Sequence, residues 1–234
     1  MRRRRADGAG APEGVQRRVR RSRLLFTAPL TALVLLCAVL LWEVLRANVS
    51  DGARSGFPWR VELLGPEALG SLLAVAAGAV LARAQYARTV RPYLGLRGAW
   101  TDGALTGGGS AWRVGVLNGG HVAVVESWDY CLVPAGRPRR ECGWTGAAEL
   151  GVALASAGLV VGEDFQVVSF GAGFPLVRSD GYETVLIGTF SRRFTREVDA
   201  LLVRVRVADV VGDAHERVMD CLAGVRHGTS VPRD

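Results

Sequence analysis

Apolar side chains fall along this chain in two rhythms. Two early runs are apolar on every side, Leu24–Leu45 and, after a short polar stretch, about Leu63–Ala84. From about residue 90 onward apolar positions alternate with polar ones. A helix apolar all round is buried or spans a membrane, whereas alternation marks a half-buried strand.

In the first run, the 19 residues Leu24–Trp42 carry no charge, and Glu43 ends the stretch. At about 1.5 Å per residue they cover roughly 28 Å, near the ~30 Å hydrocarbon core of a bilayer. A cleaved secretory signal is the competing reading. Its apolar region usually runs only ~7–15 residues, and no Ala-x-Ala-like site follows here. The second run opens with Gly65-Pro66-Glu67, and Ala68–Ala82 is free of charge. Pro66 suits the first helical turn, where its missing N–H costs nothing. Gly70, Ala74, Gly78 and Ala82 recur every fourth residue. Such a stripe of small side chains admits a close helix, either the first span or a second copy of the chain.

Beyond residue 90 the pattern predicts strands at Ala111–Asn118, His121–Val133, Phe165–Phe170, Glu183–Phe190, Leu201–Val211 and His215–Leu222. Trp112, Val114 and Val116 share one face, as do Val122, Val124, Trp128, Tyr130 and Leu132. Val203, Val205 and Val207 alternate with Arg204 and Arg206. Asn118-Gly119-Gly120 and Gly212-Asp213 are turn signals. One helix is expected between strands, capped by Thr145, with Glu149 in its first turn, Leu150 and Leu154 inward, and Gly158 as its stop. The expected fold is two transmembrane helices plus a mainly β domain. That domain reads as an antiparallel immunoglobulin-like β-sandwich with one short helix, an α+β sheet being the alternative.

Charge sets the expected orientation. Residues 1–23 hold nine Arg (Arg2, Arg3, Arg4, Arg5, Arg17, Arg18, Arg20, Arg21 and Arg23) against Asp7 and Glu13. This difference equals the net charge of +7 of the whole chain, so the remainder is neutral. The high pI therefore gives no ground for a nucleic-acid-binding domain. The tail reads as a topology signal in contact with lipid, each Arg attracting anionic headgroups by roughly 1 kcal/mol. Arg83, Arg88, Arg91 and Arg97 follow the second span. The positive-inside rule then puts both termini in the cytoplasm. The expected division is a disordered cytoplasmic tail 1–23, spans 24–45 and 63–84, an external loop 46–62, a cytoplasmic β domain 90–225 and a flexible tail 226–234. Glu43, Glu62 and Glu67 read as interfacial carboxylates.

The chain resembles uncharacterised two-span membrane proteins of high-GC actinobacteria. The resemblance lies in the approach Arg91-Pro92-Tyr93-Leu94, the Asn118-Gly119-Gly120 turn and the Val-x-Asp-x-x-Gly-Asp-x-x-Glu-Arg segment Val207–Arg217. It spans about residues 20–225, is architectural, and implies no activity.

The search for chemistry yields no catalytic motif. Gly-x-Ser-x-Gly is absent, and Gly107-Gly108-Gly109-Ser110 leads into a strand in a chain without Lys, unlike a phosphate loop. His121, Cys131, Cys142, His215, Cys221 and His227 lack the close pairing of a zinc site. Asp209, Asp213, Glu216 and Asp220 do not match a calcium loop and read as a solvated rim beside Arg204, Arg206 and Arg217. Trp112, Trp128, Trp144 and Tyr130 read as core. In a reducing cytoplasm the cysteines are free thiols; outside, Cys131 and Cys142 are plausible disulfide partners. The expected function is a membrane-anchored interaction or scaffolding module rather than an enzyme, with no cofactor. Its partners are the bilayer and another protein or a second copy, with no nucleic acid and no small-molecule substrate. The alternatives are a signalling subunit and a metal-dependent domain using His215 and Cys221.

Overall fold

The computed structural model describes residues 14–20, 23–139, 142–181 and 183–226, with only the backbone of 23–26. The chain divides into two units, Arg21–Thr89 and a second made of Met1–Arg20 with Val90–Asp234.

The first unit is helical. Helix α1 runs over Arg23–Ala47, a short α2 over Asp51–Arg54, and α3 over Pro66–Thr89. Both α1 and α3 are long and apolar enough to cross a membrane. Pro66 occupies the first position of α3, and Glu67 lies in its first turn. The last turn of α1 is tied to the chain entering α3. Trp42 stacks on Trp59 with ring centroids 5.2 Å apart, and its indole N–H donates to the Val61 carbonyl at 3.1 Å. Glu43 accepts from the Leu63 N–H at 2.8 Å and pairs with Arg46, which also reaches Glu62 at 3.2 Å. Two of the three carboxylates expected at the interface are therefore held in a network rather than simply solvated.

The small-residue stripe does not face α1. Helix α3 packs on α1, and its buried positions are Leu69 and Ala76. Gly70, Ala74, Gly78 and Ala82 are exposed in this unit, with nothing within 4 Å of a Cβ built at Gly70 or Gly78.

The second unit is β-rich, with two antiparallel sheets. Its strands are β1 Arg17–Arg20, β2 Leu94–Asp102, β3 Ser110–Asn118, β4 Ala123–Pro134, β5 Phe165–Val167, β6 Pro175–Leu176, β7 Val185–Ser191, β8 Val198–Asp209 and β9 Ala214–Asp220. The five-stranded sheet runs β1-β9-β8-β4-β6 and the four-stranded sheet β2-β3-β7-β5. Helices α4 (Ala147–Ser156), α5 (Arg192–Glu197) and α6 (Ala223–Arg226) complete the unit. Helices and antiparallel sheets together are consistent with the α+β class.

One apolar core takes side chains from both sheets: Trp112, Val114 and Val116 of β3, Phe190 of β7, Trp128 and Tyr130 of β4, and Val203, Val205 and Val207 of β8. The β8 alternation holds, with its three valines fully buried. In β4 the expected face splits. Trp128 and Tyr130 are buried while Val122 and Val124 are exposed. A register shift between Val125 and Ser127 inserts one residue and flips the parity, so Ala123 and Val125 take the core side. Helix α4 buries Leu150 and Leu154 as expected, and Gly158 (φ +79°) follows its end. Its N-cap is Gly146 rather than Thr145. The Thr145 backbone instead exchanges two 2.8 Å hydrogen bonds with Tyr130.

Three strands, β1, β2 and the two-residue β6, fall outside the expected set. β2 contains Gly95 and Gly98, because a Cβ at Gly98 would run into the Trp112 ring. β1 lies inside the arginine-rich segment, so the expectation of a disordered tail gives way over residues 17–20. The expected tail 226–234 begins inside α6, and residues 227–234 lie outside the described residues.

Candidate functional site: the stitched junction and the charged β1–β9 edge

Gln16 joins two segments 76 residues apart in sequence. Its side-chain amide donates to the Pro92 carbonyl at 2.6 Å and accepts from the Leu94 N–H at 2.9 Å. Arg91 reaches back to the Gln16 carbonyl at 3.3 Å. The residue before β1 is thus bonded to the residues that lead into β2.

Asn118 completes the junction from the other side. Its amide donates to the carbonyls of His121 (2.7 Å) and Leu176 (3.0 Å) and accepts from the N–H groups of Gly120 (3.0 Å) and Tyr93 (3.1 Å). All four hydrogen-bonding positions of this buried carboxamide are used. Gly120 has no room for a Cβ, which would meet the Arg91 carbonyl. This geometry explains the Asn-Gly-Gly turn and the Arg-Pro-Tyr-Leu approach together. Arg217 adds a hydrogen bond to the Leu94 carbonyl.

Beside the junction, β1 adds to the sheet through charge. Arg17 stands opposite Glu216, which stands opposite Arg206 on β8. Glu216 pairs with Arg17 at 2.7 Å and Arg206 at 2.8 Å. Burial pushes its carboxyl up, but the hydrogen bonds from the two arginines outweigh that and hold it below the usual carboxylate range. Arg18 pairs with Asp213 at 3.3 Å and Arg20 with Glu126 at 2.6 Å. The expected solvated rim is therefore an ion-pair ladder whose acids are mostly buried. Of the arginines read as lipid and topology signals, Arg17, Arg18 and Arg20 have carboxylate partners here. Arg2, Arg3, Arg4, Arg5 and Arg21 lie outside the described residues, and Arg23 is described only in its backbone.

Asp209 organises the β8–β9 turn. One carboxylate oxygen accepts from the N–H groups of Val211 and Asp213, and the other from His215 Nε2 at 2.9 Å. His215 is buried, and its Nδ1 has no partner among the described residues. The pair resembles an oriented catalytic base, but both members are buried. Cys221 lies six residues further along the same chain, about 20 Å away at the ~3.3 Å rise of a strand. Burial, then the Asp220 charge beside it, pushes the Cys221 thiol up, so it stays protonated. His215 and Cys221 do not share a site. Among the described residues no group of three His, Cys, Asp or Glu could hold a metal.

Cys131 and Cys142 are joined in a disulfide with Cα atoms 5.7 Å apart. Trp112, Trp128 and Tyr130 are core residues, whereas Trp144 is half-buried outside the main core, with Arg204 4.6 Å from its ring centroid. Gly107, Gly109 and Ser110 line an open cleft of about 240 Å³ with Glu163, Asp164, Arg192 and Arg193. Asp164 already neutralises Arg193 there, at 3.1 Å.

No family model, curated protein or solved structure matches the chain. The structure itself shows two long apolar helices and a β-rich unit.

Proposed function

We propose that the chain is a two-span protein of the inner membrane, with both termini in the cytoplasm, presenting its β unit there as an interaction or scaffolding module. The carrying observation is the Gln16 junction. The segment entering α1 and the segment leaving α3 belong to one β unit, which supports placing both on one side of the membrane. The length and apolar character of α1 and α3 support spanning. The nine arginines before residue 24 select the cytoplasmic side.

We read the β unit as immunoglobulin-like. Taking β2, β3, β4, β5, β7, β8 and β9 as strands A to G gives A-B-E-D in one sheet and G-F-C in the other, the constant-type order. Buried Trp128 then sits on strand C. β1 and β6 are additions at the two ends of the second sheet. Such sandwiches without a catalytic constellation serve mostly in binding.

The membrane helices offer a second copy the face of Gly70, Ala74, Gly78 and Ala82, which α1 leaves uncovered. Cross-linking in native membranes, followed by purification and mass spectrometry, tests the reading. Recovery of a defined partner or a dimer is expected. Recovery of the chain alone and monomeric would end it.

A further inference from the structure

We propose that Cys131 and Cys142 form a reversible, redox-responsive clasp on the outer face of the five-stranded sheet. This rests on the cytoplasmic placement proposed above. In a reducing compartment disulfides are usually transient and redox-sensing, yet this pair is built to close.

Cys131 lies on β4 and is 1% exposed. Its neighbour Tyr130 points into the main core, so Cys131 faces the other side of the sheet, in a small cluster with Val133 and Ala200. Cys142, Trp144 and Leu202 pack against that cluster. The Cα separation of 5.7 Å lies at the commonest value for a disulfide.

A second fastening holds the same place without sulfur. The two 2.8 Å hydrogen bonds between Tyr130 and Thr145 flank the Cys131–Cys142 bond. The cysteines therefore stay near each other when reduced, and the bond can re-form without a search. Opening frees Cys142, Gly143 and Trp144 as far as Thr145. It uncovers the apolar Val133, Ala200 and Leu202 beside the Arg204–Asp129 ion pair, whose members are 2.9 Å apart.

The chemistry balances with ordinary cellular reagents. For opening, a dithiol reductant attacks the Cys142 sulfur, the more accessible of the two. The S–S bond breaks, Cys131 leaves as thiolate and takes a proton, and the second thiol of the reductant releases Cys142. For closing, hydrogen peroxide oxidises the Cys142 thiolate to a sulfenic acid. The Cys131 thiol condenses with it, and the overall products are one disulfide and two waters. Cys221 serves as an internal reference, because it is buried and kept protonated.

The test is differential alkylation of the full-length protein, acid-quenched from growing cells and denatured so that burial does not limit labelling, read residue by residue by mass spectrometry before and after a peroxide pulse. A Ser55→Cys reporter in the loop between the spans, probed with an impermeant maleimide, fixes the orientation independently. The expected result is Cys131 and Cys142 alkylated before the pulse and both lost to alkylation after it. A dithiol restores them, and Cys142→Ser leaves Cys131 alkylated throughout. Reduction should also speed amide exchange of 142–144 in the purified full-length protein. A pair that stays reduced after peroxide, with Ser55→Cys labelled in intact cells, overturns the clasp and leaves the proposed function standing. A pair oxidised in untreated cells, with Ser55→Cys shielded, overturns both.

Discussion

The Asn118 carboxamide meets two backbone donors and two backbone acceptors from three places in the chain, Tyr93, Gly120-His121 and Leu176. Asn118→Ala leaves buried peptide groups unpaired, at a cost of about 2–4 kcal/mol. Thermal unfolding of the full-length protein in detergent should show a fall in Tm of roughly 5–10 °C. An unchanged Tm would mean that the junction is held elsewhere. Glu216 makes a pH-dependent prediction. Its carboxyl is held below its ordinary value by Arg17 and Arg206, so its stabilisation is present above the unfolded carboxylate pKa, about 4.3. It is lost as pH falls through the lower folded value. Glu216→Gln should lower stability by about 2 kcal/mol at pH 7, and the gap to the parent should close on acidification below about pH 4. A gap constant with pH would show that packing, not charge, is what the substitution removes.

Among the elements, the two apolar helices and the alternating strands β3 and β8 were legible because each carries its period in its own residues, whereas β7 showed only as a short strand-like run and β9 as the return after the Gly212-Asp213 turn, both buried without alternation. β2 and β1 were not legible. β2 lacks a strand-like composition, since glycine is required where Trp112 packs against it. β1 is a run of arginines whose strand character comes wholly from its partner β9. The β4 bulge escaped for a similar reason, since a one-residue insertion is visible only against the facing strand. Of the junction, the Asn-Gly-Gly and Arg-Pro-Tyr-Leu segments stood out in the sequence, but Gln16 gave no sign. A lone glutamine acquires meaning only when two distant segments meet at it. The α3 stripe carries the prediction at this scale. Gly78→Leu fills a face that α1 does not use, so it should leave folding intact and abolish cross-linked dimer in native membranes. Dimer yield equal to that of the parent would remove the stripe from the account.

At the scale of the whole molecule, one β unit closes around both chain segments that flank the helical unit. Arginine counting alone bears on each segment separately. The Gln16 bonds couple them, so a single observation of sidedness decides both. Under the proposed topology, disrupting the coupling with Gln16→Ala should lower Tm in detergent and leave the orientation of the chain unchanged.

The measurement that tests the central claim most directly is impermeant maleimide labelling of single-cysteine reporters in intact cells and after lysis. The reporters are Ser55→Cys, between the spans, and Ser156→Cys, on an exposed turn of α4. The account predicts that Ser55→Cys labels in intact cells and that Ser156→Cys labels only after lysis. Labelling of Ser156→Cys in intact cells, with Ser55→Cys shielded, would contradict it and put the β unit outside.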